Sequence, residues 1–204
     1  MTHPDQYKTI LKPSEGDFRE RGSKFLSYAF HAESEADIKQ EIERLKKLHP
    51  TARHFCFGAV LGSERTEERS NDAGEPNGTA GLPILNQILS AELKNVAVVV
   101  VRHFGGTKLG KPGLIAAYKL STQLALEEAK VVSLFNTSKI KFAFEYPATG
   151  AVMQAIEQMP HSKIEEQIFL ESCTILLSLP KSDVDNALHL FDHTNEVNVS
   201  HIQD

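Results

Sequence analysis

An apolar strand that runs into a glycine-rich, basic loop is the segment of this chain best suited to chemistry. Residues 96–112 read VAVVVVRHFGGTKLGKP, which predicts a buried strand, a loop and the start of a helix. Glycine lets the loop turn its backbone N–H groups inward, and the N-terminus of the following helix adds partial positive charge. Full charges come from Arg102, Lys108 and Lys111. We therefore predict an anion site in this loop, most simply for phosphate.

The same loop nearly matches the phosphate-binding loop of nucleotide hydrolases. Gly105, Gly110 and Lys111 fill G-x-x-x-x-G-K, but Pro112 stands where a serine or threonine would bind magnesium. Proline instead suits the first turn of a helix, where its missing N–H costs nothing. We therefore expect no ordinary nucleotidase, no metal and no cofactor, and a tight connection that binds nothing is the simpler alternative. The residues assigned to anion or nucleic-acid binding are Arg102, His103, Gly105, Gly106, Lys108, Gly110 and Lys111.

A second polar loop, SNDAGEPNGTAG at residues 70–81, carries the carboxylates Asp72 and Glu75. They can hold a cation, act as acid and base, or bond to neighbouring amides, and an Asx-type turn with a solvated glutamate fits equally well. Upstream, His54 and Cys56 share one face of an expected strand, about 7 Å apart and too far for a direct hydrogen bond. We favour a packed thiol beside a histidine that bonds the Gly74-Glu75 loop. Asp72, Glu75 and His54 are nevertheless the candidate catalytic residues.

Hydrophobic periodicity predicts the elements that position these loops. Expected strands are 18–31, 53–61, 96–101, 131–135, 139–146, 164–170, 172–179 and 197–201. Expected helices are 34–48, 83–93, 112–129, 147–159 and 182–191, and the stretch 62–81 is expected to be a long polar loop. From residue 139 the order is βαββαβ, which is typical of a ferredoxin-like domain.

Composition and charge predict a folded protein with two domains. The chain has 204 residues, of which 41% are hydrophobic and 24% charged, enough for a substantial core. Its net charge of −5 argues against a general polyanion binder. Residues 138–204 hold four lysines and ten carboxylates, a net charge of −6, which leaves +1 for the first 137 residues. We predict domains at 1–136 and 137–204, the second with a protein partner on its acidic surface.

The sequence also indicates where the protein works. No N-terminal stretch joins a basic region to an apolar run, and no apolar run approaches the ~20 residues that span a bilayer. The two cysteines, Cys56 and Cys173, are far apart, which argues against a disulfide framework. We therefore expect a cytoplasmic protein with reduced thiols and no membrane partner.

Three ordered motifs resemble those of the IMPACT family. They are H-x-C at His54 and Cys56, D-x-G-E-P-x-G-T-A-G over 72–81, and V-V-V-V-R-H-F-G-G-x-x-L-G-x-x-G-L over 98–114. The resemblance covers the whole chain. It implies an α+β protein whose N-terminal domain is similar to domain IV of elongation factor G. The C-terminal domain it implies is ferredoxin-like and similar to domain V of that factor.

Three positions depart from the family pattern. His103 stands where a tyrosine is usual, which removes a phenol that can stack on a base. Ala73 replaces a frequent second aspartate, which weakens metal-dependent chemistry. Pro112 replaces a common glycine, which stiffens the exit of the loop and removes one backbone donor.

The resemblance places the function near translation. Eukaryotic members regulate translation by interfering with activation of a stress-response kinase. They use an additional N-terminal module that we expect this chain to lack, so that activity is not carried over. Bacterial members resemble candidates for nucleic-acid or ribosome binding. We therefore predict an RNA- or ribosome-binding protein linked to translation regulation, which binds anions through residues 102–113, rather than an enzyme. The alternatives are an enzyme acting on a small phosphorylated or anionic substrate between the two glycine-rich loops, and loops that only pack together.

Overall fold

The chain folds into two compact units in a computed structural model that describes residues 3–202. One unit is Tyr7–Leu134, and the other joins residues 3–6 to residues 135–202. The predicted division into functional domains at residue 136 stays a prediction. The first described residues nevertheless belong structurally to the C-terminal unit, which no sequence pattern indicated.

The N-terminal unit is built on a five-stranded antiparallel sheet. In chain order, the elements up to residue 135 are β1 (Gln6–Ile10), β2 (Ser14–Glu20), β3 (Ser23–His31), α1 (Glu35–Leu48), β4 (His54–Leu61), β5 (Glu67–Asn71), α2 (Gly81–Ser90), β6 (Val96–His103), α3 (Gly110–Glu127) and β7 (Val131–Phe135). The strand order of the sheet is β2-β3-β6-β4-β5, and β1 pairs separately with β7.

Both faces of this sheet are covered, which explains the continuous apolar sequence of β6. Residues 96–101 are all fully buried. On one face, Ile38 and Leu45 of α1 join the core. On the other face, Ile84 of α2 and Tyr118 of α3 do so. The central strand β6 ends at His103, and the glycine-rich loop connects it to the start of α3 at Gly110.

The C-terminal unit has the ferredoxin-like topology predicted from the sequence. Its elements are β8 (Thr137–Glu145), α4 (Thr149–Glu157), β9 (Lys163–Ile168), β10 (Ser172–Pro180), α5 (Val184–Leu188) and β11 (Val197–Ile202). The antiparallel strand order β11-β8-β10-β9 is that of a split βαββαβ unit. Phe142 and Phe144 are buried in its core, so they offer no surface for stacking a base. The α+β class is confirmed.

Two of the predicted elements were wrong. The segment 18–31 is not one strand, because Arg21 and Gly22 turn the chain with φ of 45° and 78° and form the β2–β3 hairpin. The stretch 62–81 is not all loop, since it contains β5. This strand has the polar sequence EERSN and lies at the edge of the sheet, paired only with β4, so it shows no apolar alternation. The strand β1 was also missed.

Candidate functional site

Three motif segments meet α3 in the N-terminal unit. We call the four side chains at this point, Cys56, Glu75, Arg102 and Tyr118, the buried polar cluster. The side chains come from β4, from the loop after β5, from β6 and from α3. Each is linked to another of the four by a hydrogen bond or ion pair. The fold thus brings together residues that the sequence spreads over more than sixty positions.

An ion pair between Arg102 and Glu75 forms the centre of this cluster. Arg102 Nη1 donates to Glu75 Oε1 at 2.6 Å, and the two side chains are only 7% and 4% exposed. The guanidinium also lies over the rings of Phe25 and Phe104, at 5.4 and 5.5 Å from their centroids. Arg102 therefore neutralises Glu75 and does not present its charge in the loop.

The remaining members of the cluster are neutral hydrogen-bonding groups. The Tyr118 hydroxyl donates to the same Glu75 oxygen at 2.9 Å. Cys56 Sγ lies 3.0 Å from the Asp72 carbonyl oxygen and 3.3 Å from Tyr118 Oη. Burial raises the pKa of Cys56 to about 12. Burial, together with Cys56 and Glu75, also raises the pKa of Tyr118. Cys56 is thus a packed thiol rather than an activated nucleophile.

Asp72 organises the loop that carries Glu75. Its carboxylate accepts hydrogen bonds from the backbone N–H groups of Gly78, Ala80 and Gly81 at 2.8–2.9 Å. Burial opposes ionisation, but the three donors outweigh it and lower the pKa of Asp72. Because α2 begins at Gly81 and has no side-chain cap of its own, the carboxylate also satisfies the free end of that helix.

His54 holds the same loop from β4. Its Nδ1 lies 3.0 Å from the carbonyl oxygen of Ala73, and since a carbonyl only accepts, Nδ1 carries the proton of this bond. The bond expected with the Gly74-Glu75 loop is present, and its acceptor is the preceding residue, Ala73. All three candidate catalytic residues, His54, Asp72 and Glu75, are therefore engaged in bonds that fix the loop.

The predicted anion-binding residues do not all face one point. His103 follows Arg102 on β6 and so points to the opposite face of the sheet, where its ring lies 5.5 Å from that of His49. The N–H of Gly105 donates to Ser23 Oγ at 3.2 Å. A Cβ on Gly105 would lie 1.9 Å from the carbonyl carbon of Gly22, so the loop begins pressed against the β2–β3 turn.

The rest of the loop is open, and we refer to residues 104–111 as the exposed loop. Phe104 is 58% exposed, and Lys108 and Lys111 are exposed without an ion pair to any other described residue. Gly106, at φ 89°, has no atom within 4 Å of where a Cβ would be. The helix α3 begins at Gly110 with no side-chain cap and no acidic residue in its first turn. Two cations and a helix start without a side-chain cap therefore lie on one short, accessible segment.

Sequence reasoning missed Tyr118 and Ser23. Tyr118 lies on the buried stripe of α3, where its spacing is that of any core residue. The signal available was chemical, because a buried tyrosine hydroxyl needs a partner. Ser23 looks like an ordinary residue of a strand, and only the hairpin brings it to Gly105.

Within residues 3–202, no group of three or more His, Cys, Asp or Glu side chains is arranged to hold a metal ion. None of the helices in that range combines the length and apolar character required to cross a bilayer.

The fold and the site define a class of protein. It is an α+β protein in which His-x-Cys, Asp-x-Gly-Glu-Pro and Arg-x-Phe-Gly-Gly segments converge at a buried polar cluster. Residues 21–126 match the family model for the Impact N-terminal domain. An IMPACT family member of Haemophilus influenzae is 31% identical over 165 residues, which cover 80% of this chain and 80% of the relative. This chain belongs to the IMPACT family.

Two further proteins are similar. YvyE of Bacillus subtilis, also an IMPACT family member, is 35% identical over 137 residues, which span 65% of this chain and 63% of YvyE. A crystal structure of a hypothetical protein aligns over 98% of both chains with a TM-score of 0.69 and 24% identity. The second likeness concerns the fold alone.

Proposed function

We propose that this protein binds RNA, free or within the ribosome, as part of translation regulation, and that the exposed loop contacts the phosphate backbone. The observation that carries the proposal is the uncapped start of α3 flanked by Lys108 and Lys111, both exposed and without an ion pair among the described residues. Family membership supports the translation setting, since the resemblance implies that role for eukaryotic members.

The chemistry of the site favours binding over catalysis. Cys56 and Tyr118 are neutral, and the Asp72 carboxylate accepts hydrogen bonds from three backbone donors. One carboxylate oxygen of Glu75 accepts hydrogen bonds from both Arg102 and Tyr118. The cluster therefore acts as a rigid support for the loop above it, and the loop supplies the groups that an external anion can reach.

The proposal predicts a salt-dependent interaction. Each lysine that neutralises a phosphate releases counterions. For a single strand, each such contact adds about 0.7 units to the slope of log Kd against log salt concentration. Lys108→Ala/Lys111→Ala should therefore reduce the slope by about 1.4 units and weaken binding. Fluorescence anisotropy with a labelled single-stranded RNA 10-mer, and co-sedimentation with purified ribosomes, measure these effects.

The matched control removes the same charge elsewhere in the N-terminal unit. Lys39→Ala/Lys47→Ala alters two exposed lysines on α1, which covers the other face of the sheet. We expect its slope and affinity to stay near those of the unchanged protein. If the two double variants behave alike, or if neither RNA nor ribosomes bind, the exposed loop is not a phosphate contact.

A further inference from the structure

A groove beside the exposed loop has no role in the site described so far. It lies between the β2–β3 hairpin and the first half of α3, and its volume is about 230 Å³. Its floor is apolar, and a carboxylate and a guanidinium stand at the rim. The lining residues are Phe18, Glu20, Arg21, Leu109, Gly113, Ala116, Ala117 and Leu120.

The helix α3 packs closely against β2 beyond the groove, near Ala125. There, Ser14 Oγ donates to the Ala125 carbonyl at 2.7 Å, and a Cβ on Gly16 would lie 2.7 Å from the Ala125 nitrogen. Between Leu109 and Leu120, the residues of α3 that line the groove are the small Gly113, Ala116 and Ala117. Side chains too short to fill the space leave the ring of Phe18 partly accessible.

The rim of the groove favours an anionic ligand with a flat apolar part. Leu109 and Gly113, which line the groove, lie one and two residues after Lys108 and Lys111. The Arg21 side chain is 64% exposed. The nearby carboxylate of Glu20 is paired with Arg21 at 3.6 Å. A volume below the ~300 Å³ at which sites for whole drug-sized ligands begin suits a single ring system.

We propose that the groove receives one unpaired nucleobase of a single-stranded RNA whose phosphates contact the exposed loop. This inference rests on the proposed function and adds the substrate class, because bases in a duplex are stacked and paired and cannot enter. The base would stack on Phe18 over the apolar floor, and Arg21 would face its polar edge. Stacking of this kind tolerates all four bases, so the groove gives preference for single strands rather than for a sequence.

The first test compares two ligands on the unchanged full-length protein. A uridine 10-mer and an abasic ribose-phosphate 10-mer carry the same charge and differ only in their bases. One stacked base corresponds to about tenfold in affinity, so the uridine oligomer should bind about tenfold more tightly. Equal, salt-dependent affinities would overturn the groove assignment and leave the phosphate contact intact. Binding of neither oligomer would overturn the groove assignment, and absence of ribosome co-sedimentation as well would overturn the proposed function.

The second test fills the groove. Ala116→Leu adds bulk at an exposed helical position without lowering helix propensity much, and should bring the affinity ratio of the two oligomers to about one while the salt slope stays unchanged. Ala36→Leu makes the same change at an exposed position of α1, and this variant should keep the tenfold affinity ratio. A tenfold ratio retained in Ala116→Leu would contradict the proposal. The ligand comparison holds even if this variant fails to fold.

Discussion

Glu75 accepts two hydrogen bonds on one carboxylate oxygen, and the buried polar cluster depends on it more than on any other member. Arg102 and Tyr118 both donate to Oε1. Arg102 Nε, which is also buried, has no hydrogen-bond partner among the described residues, so the Glu75 charge is the main compensation for the buried guanidinium. Removing one partner of such a pair leaves an uncompensated charge in the interior.

Glu75→Gln should therefore lower the free energy of unfolding by about 3–5 kcal/mol, because the Arg102 cation stays buried without its counter-charge. Urea denaturation followed by circular dichroism measures the loss. Glu68→Gln, which changes an exposed carboxylate on β5, should alter stability by less than about 0.5 kcal/mol. Adding Arg102→Met to Glu75→Gln should recover part of the loss, and a double variant as unstable as the sum of the two single changes would contradict the pairing.

The residues of the site divide into those that a motif reveals and those that only packing reveals. Asp72, Glu75 and Arg102 stand in glycine-rich motifs, so the sequence could single them out. It could not pair Arg102 with Glu75, because they are 27 positions apart and their contact follows from sheet register. Sequence reasoning placed Arg102 among solvent-facing cations, whereas a side chain near the end of a central strand points into the covered face of the sheet.

At the scale of elements, the 72–81 loop is tied to the start of α2. The carboxylate of Asp72 substitutes for the missing N-cap and accepts three backbone N–H groups from the end of the loop. The loop therefore has a fixed conformation, and the position of Glu75 is a consequence of this anchoring.

Asp72→Asn replaces one acceptor oxygen by an amide that cannot accept, and should lower stability at pH 7 by about 1–3 kcal/mol. The pKa of Asp72 lies below its ordinary value of 3.8, so its contribution is complete above that pH and is lost as the pH falls through the lower, folded-state value. The difference between the variant and the unchanged protein should therefore be constant from about pH 5 upward and shrink below pH 3.8.

Denaturation at a series of pH values checks this dependence. Hydrogen exchange adds a local readout, since the amides of Gly78, Ala80 and Gly81 should exchange faster in Asp72→Asn. In Glu68→Gln these amides should be unaffected. A difference between Asp72→Asn and the unchanged protein that persists undiminished at pH 2–3 would contradict the role of the ionised carboxylate.

Elements with an apolar pattern were predicted well, and elements without one were not. The continuous apolar run of β6 and the alternation in β8 gave their positions to within two residues. The β2–β3 hairpin was missed because its turn is the dipeptide Arg21-Gly22 within an otherwise strand-like sequence. The strand β5 was missed because an edge strand exposed on both sides carries polar residues.

The first described residues of the chain form polar contacts with residues of the C-terminal unit. The Asp5 carbonyl accepts the N–H of Asn136 at 2.9 Å, and the Asp5 carboxylate accepts the N–H of Ser182 at 2.8 Å. His3 Nε2 also lies 3.3 Å from Asp183 Oδ2. These contacts explain why residues 3–6 belong to the C-terminal unit.

Asp5→Ala should destabilise the C-terminal unit by about 1 kcal/mol through the lost bond to Ser182, with little effect on residues 7–134. Hydrogen exchange followed by mass spectrometry resolves the two units, and peptides from β8 and β10 should show the change. Glu171→Ala, at an exposed position of the same unit, is the control. Uniform destabilisation of both units would argue against this local role.

The ferredoxin-like topology of the C-terminal unit was predictable, whereas the division into functional domains at residue 136 stays a prediction. The change in net charge and the restart of the element pattern both fall near residue 138, and the βαββαβ order identified the second topology. The involvement of residues 3–6 was not predictable, since a short polar terminus carries no pattern that names its partner. The protein partner expected for the acidic surface and the likeness to domain IV of elongation factor G stay predictions.

The close packing of Gly105 against Gly22 restricts one position of the exposed loop to glycine and leaves the tip of the loop free to vary. No larger residue fits at Gly105 without displacing the hairpin backbone, whereas nothing crowds Gly106. A library randomised over residues 104–108 and selected only for folding should return glycine at 105 and a broad mixture at 107 and 108. New ligand preferences can therefore evolve on the tip of this loop while its foundation stays the same.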